Sequence, residues 1–126
     1  MRITFISDTH TKHHEITKDL PGGDLLIHTG DIMNSGRDRD DIVLFCDWFN
    51  QLDNYTHKLF IAGNHDRLFE TDSIDSTRLV REFKNISYLE DSLCGIGDVS
   101  IYGSPWQPAF FDWAFNLPRN GKALEK

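Results

Sequence analysis

Hydrophobic and polar positions along this chain switch between two periods. From Arg2 to Ile6 they alternate, with β-branched and aromatic residues, which reads as a strand. Pro21-Gly22-Gly23 is a turn, and Asp24 to His28 is a short apolar run consistent with a buried strand. Between Asp40 and Leu52 the period lengthens: Ile42, Phe45, Cys46, Phe49 and Leu52 fall at helical spacing, with acidic residues near the first turn, where the helix dipole favours them. His57 to Ala62 is a third strand. Ser76 to Lys84 predicts a second helix with Leu79, Val80 and Phe83 on one face and Asn85 as its stop. Ser92 to Tyr102 reads as a hairpin around Gly95-Ile96-Gly97-Asp98.

Strand, loop, helix and strand in that order predict an α/β domain with a substantially parallel sheet. In such sheets ligands bind beyond the carboxyl ends of the strands. The 126 residues suit one domain. No apolar run approaches the ~20 residues that cross a bilayer, and the start lacks a small-residue cleavage site, so the expected location is cytoplasmic, without membrane contact. Cys46 and Cys94 match no metal-binding pair and read as small buried hydrophobes. A formal charge of −7 disfavours long nucleic acid as a partner but leaves a small phosphorylated substrate open.

The chemistry lies at the strand ends. After the first strand comes Ser7-Asp8-Thr9-His10, after the second Thr29-Gly30-Asp31, and after the third Gly63-Asn64-His65-Asp66. A strand-end Asp or Asn is often only a turn former. Three such clusters at one sheet edge instead assemble carboxylate, imidazole and amide donors suited to Mn²⁺, Fe or Zn²⁺. The alternate spacing of Asp8 and His10 would put both side chains on one side of an extended backbone, able to share one ion. Asp31 could bridge two ions.

These blocks, D-x-H, G-D and G-N-H-D, closely resemble the calcineurin-like metallophosphoesterase superfamily. Ile101-Tyr102-Gly103-Ser104-Pro105-Trp106 and Trp113-Ala114-Phe115-Asn116-Leu117-Pro118-Arg119 look like its metallophosphoesterase-domain-containing group. The resemblance implies a β-sandwich flanked by helices, with a largely parallel or mixed sheet, of which this chain is the N-terminal part. It implies two divalent metal ions, with Asp8 and His10 on the first, Asp31 as the bridge and Asn64 on the second. His65 would face the phosphate and protonate the leaving oxygen, and Asp66 would orient His65 by accepting its other ring N–H. The implied reaction is in-line attack on phosphorus by a metal-bridging hydroxide, on a phosphodiester or a nucleotide. If the substrate is a nucleotide, Trp106 could stack on its base.

The superfamily's later blocks, a lone His and G-H-x-H, are absent, since no histidine follows His65. That leaves the second ion only Asp31 and Asn64. With the helical pattern that begins at Arg119 and stops at Lys126, this suggests a partial chain of a longer enzyme, with exposed apolar sheet and a homo-oligomer as one outcome. The alternative function is a noncatalytic metal- or nucleotide-binding module. Among the remaining residues, His13 and His14 read as solvated, His28 as a hydrogen-bonded core histidine and His57 as structural. Arg37 and Arg67 are secondary candidates for phosphate contact. Most of the aromatic stretch from Trp106 to Phe115 reads as core or capping surface.

Overall fold

A computed structural model describes residues 1–119 of the chain. The frame is four parallel strands in spatial order β1 (Ile3–Ile6), β2 (Gly23–His28), β3 (Tyr55–Phe60) and β4 (Ser87–Tyr88). The expected parallel α/β architecture is present. Leu25 pairs with Ile3 and His57, and His28 with Ile6 and Phe60, so the first three strands end at one margin.

Alternation along β2 and β3 serves two cores. Leu26, His28 and Phe60 face helix α1 (Arg39–Gln51), while Leu25, Ile27 and Leu59 face the opposite side. On the α1 side the buried residues Ile42, Phe45, Cys46, Trp48 and Phe49 recur at helical spacing. Phe45 stacks on Phe49, with ring centroids 5.0 Å apart, and meets Phe60 edge-on at 5.2 Å. Asp38 caps the start of α1 by accepting from the Asp40 amide. No basic residue closes the end of α1 from within; Lys58 of β3 does so instead, donating to the carbonyls of Asn50 and Leu52 at 2.7 and 2.9 Å.

The other face is covered by the antiparallel hairpin of β5 (Ser92–Ile96) and β6 (Val99–Gly103), which turns at Gly97-Asp98. Its Cys94, Ile96 and Ile101 pack over Leu25, Ile27 and Leu59, a second layer on the sheet. The cover stops short of the edge strand β1, where Phe5 is 66% exposed and Ile3 is 36% exposed. The apolar sheet surface expected from the sequence is therefore present.

Several elements differ from the sequence reading. The second helix runs earlier, Ser73–Arg81, and is preceded by a single turn, α2 (Leu68–Thr71), so we number it α3. The two-residue β4 and the pair β7 (Gln107–Pro108) and β8 (Asn116–Leu117) are too short to show a period. A 3₁₀ helix, His13–Asp19, buries His13 against Trp48 and Phe45, so His13 is not solvated as expected. Burial lowers its pKa to about 4. Cys46 is buried as expected, with its thiol pushed up to about 12, whereas Cys94 is half-buried. No described helix is long and apolar enough to cross a membrane. The helical pattern read toward Lys126 lies outside the described residues.

Candidate active site

Three loops leave the sheet at the shared margin, and backbone hydrogen bonds zip the first two together. Asp8, His10 and Thr11 donate their amides to the carbonyls of Gly30, Asp31 and Ile32 at 2.9, 3.0 and 3.0 Å. This pairing forces a conformation the sequence did not foretell. Asp8 (φ 55°), His10 (φ 43°) and Asp31 (φ 63°) are left-handed, not extended. Such non-glycine strain persists only where the surroundings impose it, and it collects at functional sites. Asp8 and His10 still meet, with Oδ1 of Asp8 3.7 Å from Nε2 of His10. The correction concerns how they meet.

The loops also need close approach of backbone to backbone. Gly30 has φ 111°, and a Cβ there would stand 2.7 Å from the Gly63 nitrogen, so no larger residue fits between the second and third blocks.

Two buried side chains hold the blocks in place. His28 accepts from the Gly30 amide through Nδ1 (3.1 Å), which leaves its Nε2–H to donate to the Thr9 hydroxyl (2.9 Å). It is the hydrogen-bonded core histidine expected, and it also ties the first block to the second. Burial depresses its pKa to about 3, so the ring is neutral, as this bonding requires.

Asp66 does the same for the second and third blocks, in a way that corrects the expected role. Its carboxylate accepts the amides of Asp31 (2.8 Å), Ile32 (3.3 Å), Met33 (2.8 Å) and Gly63 (2.8 Å). It does not accept from the His65 ring. The sharp turns after Gly30 and Gly63 leave a fan of N–H groups that need an acceptor, and Asp66 is fully buried among them. Burial pushes its pKa up to about 6, against the pull of the amide donors toward the ionised form.

Carbonyls orient both site histidines. His10 donates Nδ1–H to the Met33 carbonyl at 3.0 Å, and His65 donates Nδ1–H to the Asn34 carbonyl at 2.9 Å, because a carbonyl can only accept. Each ring is left with Nε2 as its free nitrogen. The rings meet edge-on, centroids 4.6 Å apart. Asp31 completes the cluster: His10, Asp31 and His65 each offer a ligand atom within 4.8 Å of the others. The Asp31 carboxylate also accepts the His65 amide at 2.9 Å. Burial, then the neighbouring Asp8 carboxyl, raises the Asp31 pKa, while the Ser7 hydroxyl above all holds Asp8 low. Asn64 is half-buried, and its backbone carbonyl accepts the Ala114 amide.

Asp8, His10, Lys12, Asn34 and His65 line a crevice of about 390 Å³. At His65 and Asn34 it meets an open cleft of about 840 Å³ lined by Arg37, Arg67, Phe110, Phe111 and Trp113. Both secondary arginines therefore lie beside the site, Arg67 already donating to the Asp112 carbonyl. Trp106 does not line that cleft. Its indole N–H donates to Asp91 at 2.8 Å and its ring meets Phe115 edge-on, away from the cleft beside His65. Of the aromatic rings lining that cleft, Trp113 is stacked on His65, at 4.1 Å and 25°. Sequence reasoning missed Trp113, Met33 and Asn34. The last two act through carbonyls, which every residue type possesses, so no side-chain signal marks them. His57 is exposed, and lines a separate crevice with Lys84 and Cys94.

A family model described as calcineurin-like phosphoesterase matches residues 1–123. The chain is 35% identical to metallophosphoesterase domain-containing protein 1 of Homo sapiens, in an alignment covering 99% of the chain and 43% of that protein. It is also 35% identical to a UPF0046 protein of Caenorhabditis elegans, covering 100% of the chain and 48% of that protein. The chain spans less than half the length of these curated relatives.

Proposed function

Because this chain belongs to the calcineurin-like phosphoesterase family, a family of metal-dependent phosphoesterases, we propose that it contributes the metal-binding and proton-donating face of a site that hydrolyses a phosphodiester or a nucleotide ester. The observation that carries this reading is the convergence of His10, Asp31 and His65, one from each loop, with ligand atoms within 4.8 Å of one another.

The donor set fits a divalent ion. A carboxylate and imidazoles oriented by carbonyls are the ligands and outer partners that Mn²⁺, Fe or Zn²⁺ sites use. Asp8, His10 and Asp31 would hold one ion, and Asp31 with the amide oxygen of Asn64 a second. Bound there, such ions supply Lewis acidity that activates water and polarises phosphoryl oxygens.

The chain's own groups do the rest. Asp31 is kept in place by its bond to the His65 amide. His65 has its Nδ1–H committed to Asn34, so Nε2, when it carries the second proton of the imidazolium form, is the atom that would deliver a proton to the leaving oxygen. The open cleft beside His65 has room for the remainder of the ester.

The test is hydrolysis of diphenyl phosphate, whose leaving oxygen needs a proton, with added Mn²⁺, in wild type and His65→Ala. We expect the variant to bind Mn²⁺ within a few-fold of wild type and to lose turnover by about 10²–10⁴-fold, the usual worth of a general acid. Equal rates would end the catalytic claim, and lost Mn²⁺ affinity would make His65 a ligand. A second reading, a noncatalytic module that holds a metal or a nucleotide, rests on the single candidate metal cluster among the described residues, His10, Asp31 and His65. Calorimetric Mn²⁺ binding without product over hours would select it.

A further inference from the structure

We propose that Trp113 is a positioning residue for His65: it fixes the plane of the imidazole that delivers the proton. The inference rests on the hydrolytic reading above. A histidine ring held by one hydrogen bond can still tilt about it, and among the described residues the His65 ring is bonded only through Nδ1, to Asn34 at 2.9 Å. Trp113 lies flat against its face, centroids 4.1 Å apart and 25° from parallel, while His10 meets it edge-on. A broad aromatic face fixes orientation as well as volume, which an aliphatic side chain does not.

The chain holds this tryptophan in place by long-range bonds. Arg67, two residues after His65, donates to the Asp112 carbonyl at 2.6 Å, and the Ala114 amide donates to the Asn64 carbonyl at 2.9 Å. Trp113 is thus clamped on both sides by residues that flank His65. Phe111 (φ 49°) and Phe115 (φ 59°), two positions away on either side, are both left-handed. Phe115 and Ala114 are fully buried in the α1-side core, but Trp113 is half-buried and Phe111 and Asp112 are exposed, so the strain at Phe111 is not the cost of filling a core. Its product is the placement of one ring against one imidazole.

A tilted imidazole penalises esters whose leaving oxygen needs a proton and spares those that leave as stable anions. The experiment compares diphenyl phosphate with bis-p-nitrophenyl phosphate in the Mn²⁺-loaded wild type, Trp113→Leu and Trp113→Phe. We expect Trp113→Leu to lower kcat on diphenyl phosphate about tenfold, as loss of an outer-sphere orienting group does, with KM nearly unchanged and a smaller fall on the nitrophenyl ester. Trp113→Phe should recover most of the loss. In metal-free protein, the His65 ring protons should be shifted upfield by the indole ring current in wild type and return toward free-histidine positions in Trp113→Leu. Equal falls on both esters, no fall at all, or unshifted His65 protons in wild type would overturn the proposal. A wild type inactive on both esters refutes the hydrolytic reading, and the ring-proton shifts then decide separately whether Trp113 holds the imidazole.

Discussion

Replacing Asp31 with alanine is expected to lower turnover of bis-p-nitrophenyl phosphate by at least about a thousandfold, equivalent to roughly 4 kcal/mol of transition-state stabilisation. The size follows from position. Asp31 is the carboxylate of the His10–Asp31–His65 cluster, and it also accepts the backbone amide of another member, His65. Asp31→Ala therefore removes a ligand and loosens His65 together. Asp31→Asn separates the two, because its amide oxygen can still accept the His65 N–H while its negative charge is gone. We expect the asparagine variant to fold like wild type and to lose Mn²⁺ affinity by calorimetry. Wild-type affinity in both variants would remove Asp31 from the metal centre.

The second large effect is on stability. Asp66→Ala leaves the amides of Asp31, Ile32, Met33 and Gly63 without their acceptor. An unsatisfied buried donor costs about 1–3 kcal/mol, so a loss of at least about 3 kcal/mol is expected in urea unfolding. That is a large part of a typical domain's whole stability. Asp66→Asn keeps the shape but turns an N–H₂ group toward amide donors, and should fall between wild type and alanine. If Asp66 acted mainly by orienting the His65 ring, either variant would lose activity with little change in the urea midpoint.

This last contrast shows what the sequence could and could not reveal. Periodicity exposed β1, β2, β3, α1 and the β5–β6 hairpin, because each buries a face with a regular repeat. With the strands placed, the polar blocks at their ends had to share a margin, so Asp8, His10, Asp31 and His65 could be gathered without coordinates. The loop geometry could not. Asp8 and His10 read as extended because a two-residue spacing on a strand implies it, but bonding to residues 30–32 twists both into left-handed conformations. Nor does a motif disclose which donors a buried carboxylate serves, so Asp66 was paired with a ring when it serves a fan of amides.

The aromatic tail shows the same limit. Trp106 and Trp113 are alike as sequence symbols. Which of them meets the site depends on long-range partners: Asp91 takes the indole of Trp106, whereas Arg67 and Asn64 bring the Trp113 loop to His65. His13 was misread because its sequence neighbours are polar. The 3₁₀ turn rolls it onto Trp48, a contact invisible to local composition.

The most direct test of the central claim is anomalous diffraction at the manganese edge from crystals of this chain grown with Mn²⁺. The account expects a peak within about 2.0–2.4 Å of donor atoms from Asp31 and His10, the usual range for hard divalent ions with oxygen and nitrogen ligands. Saturating Mn²⁺ with no peak between these loops, or a peak held by residues elsewhere in the chain, would contradict it.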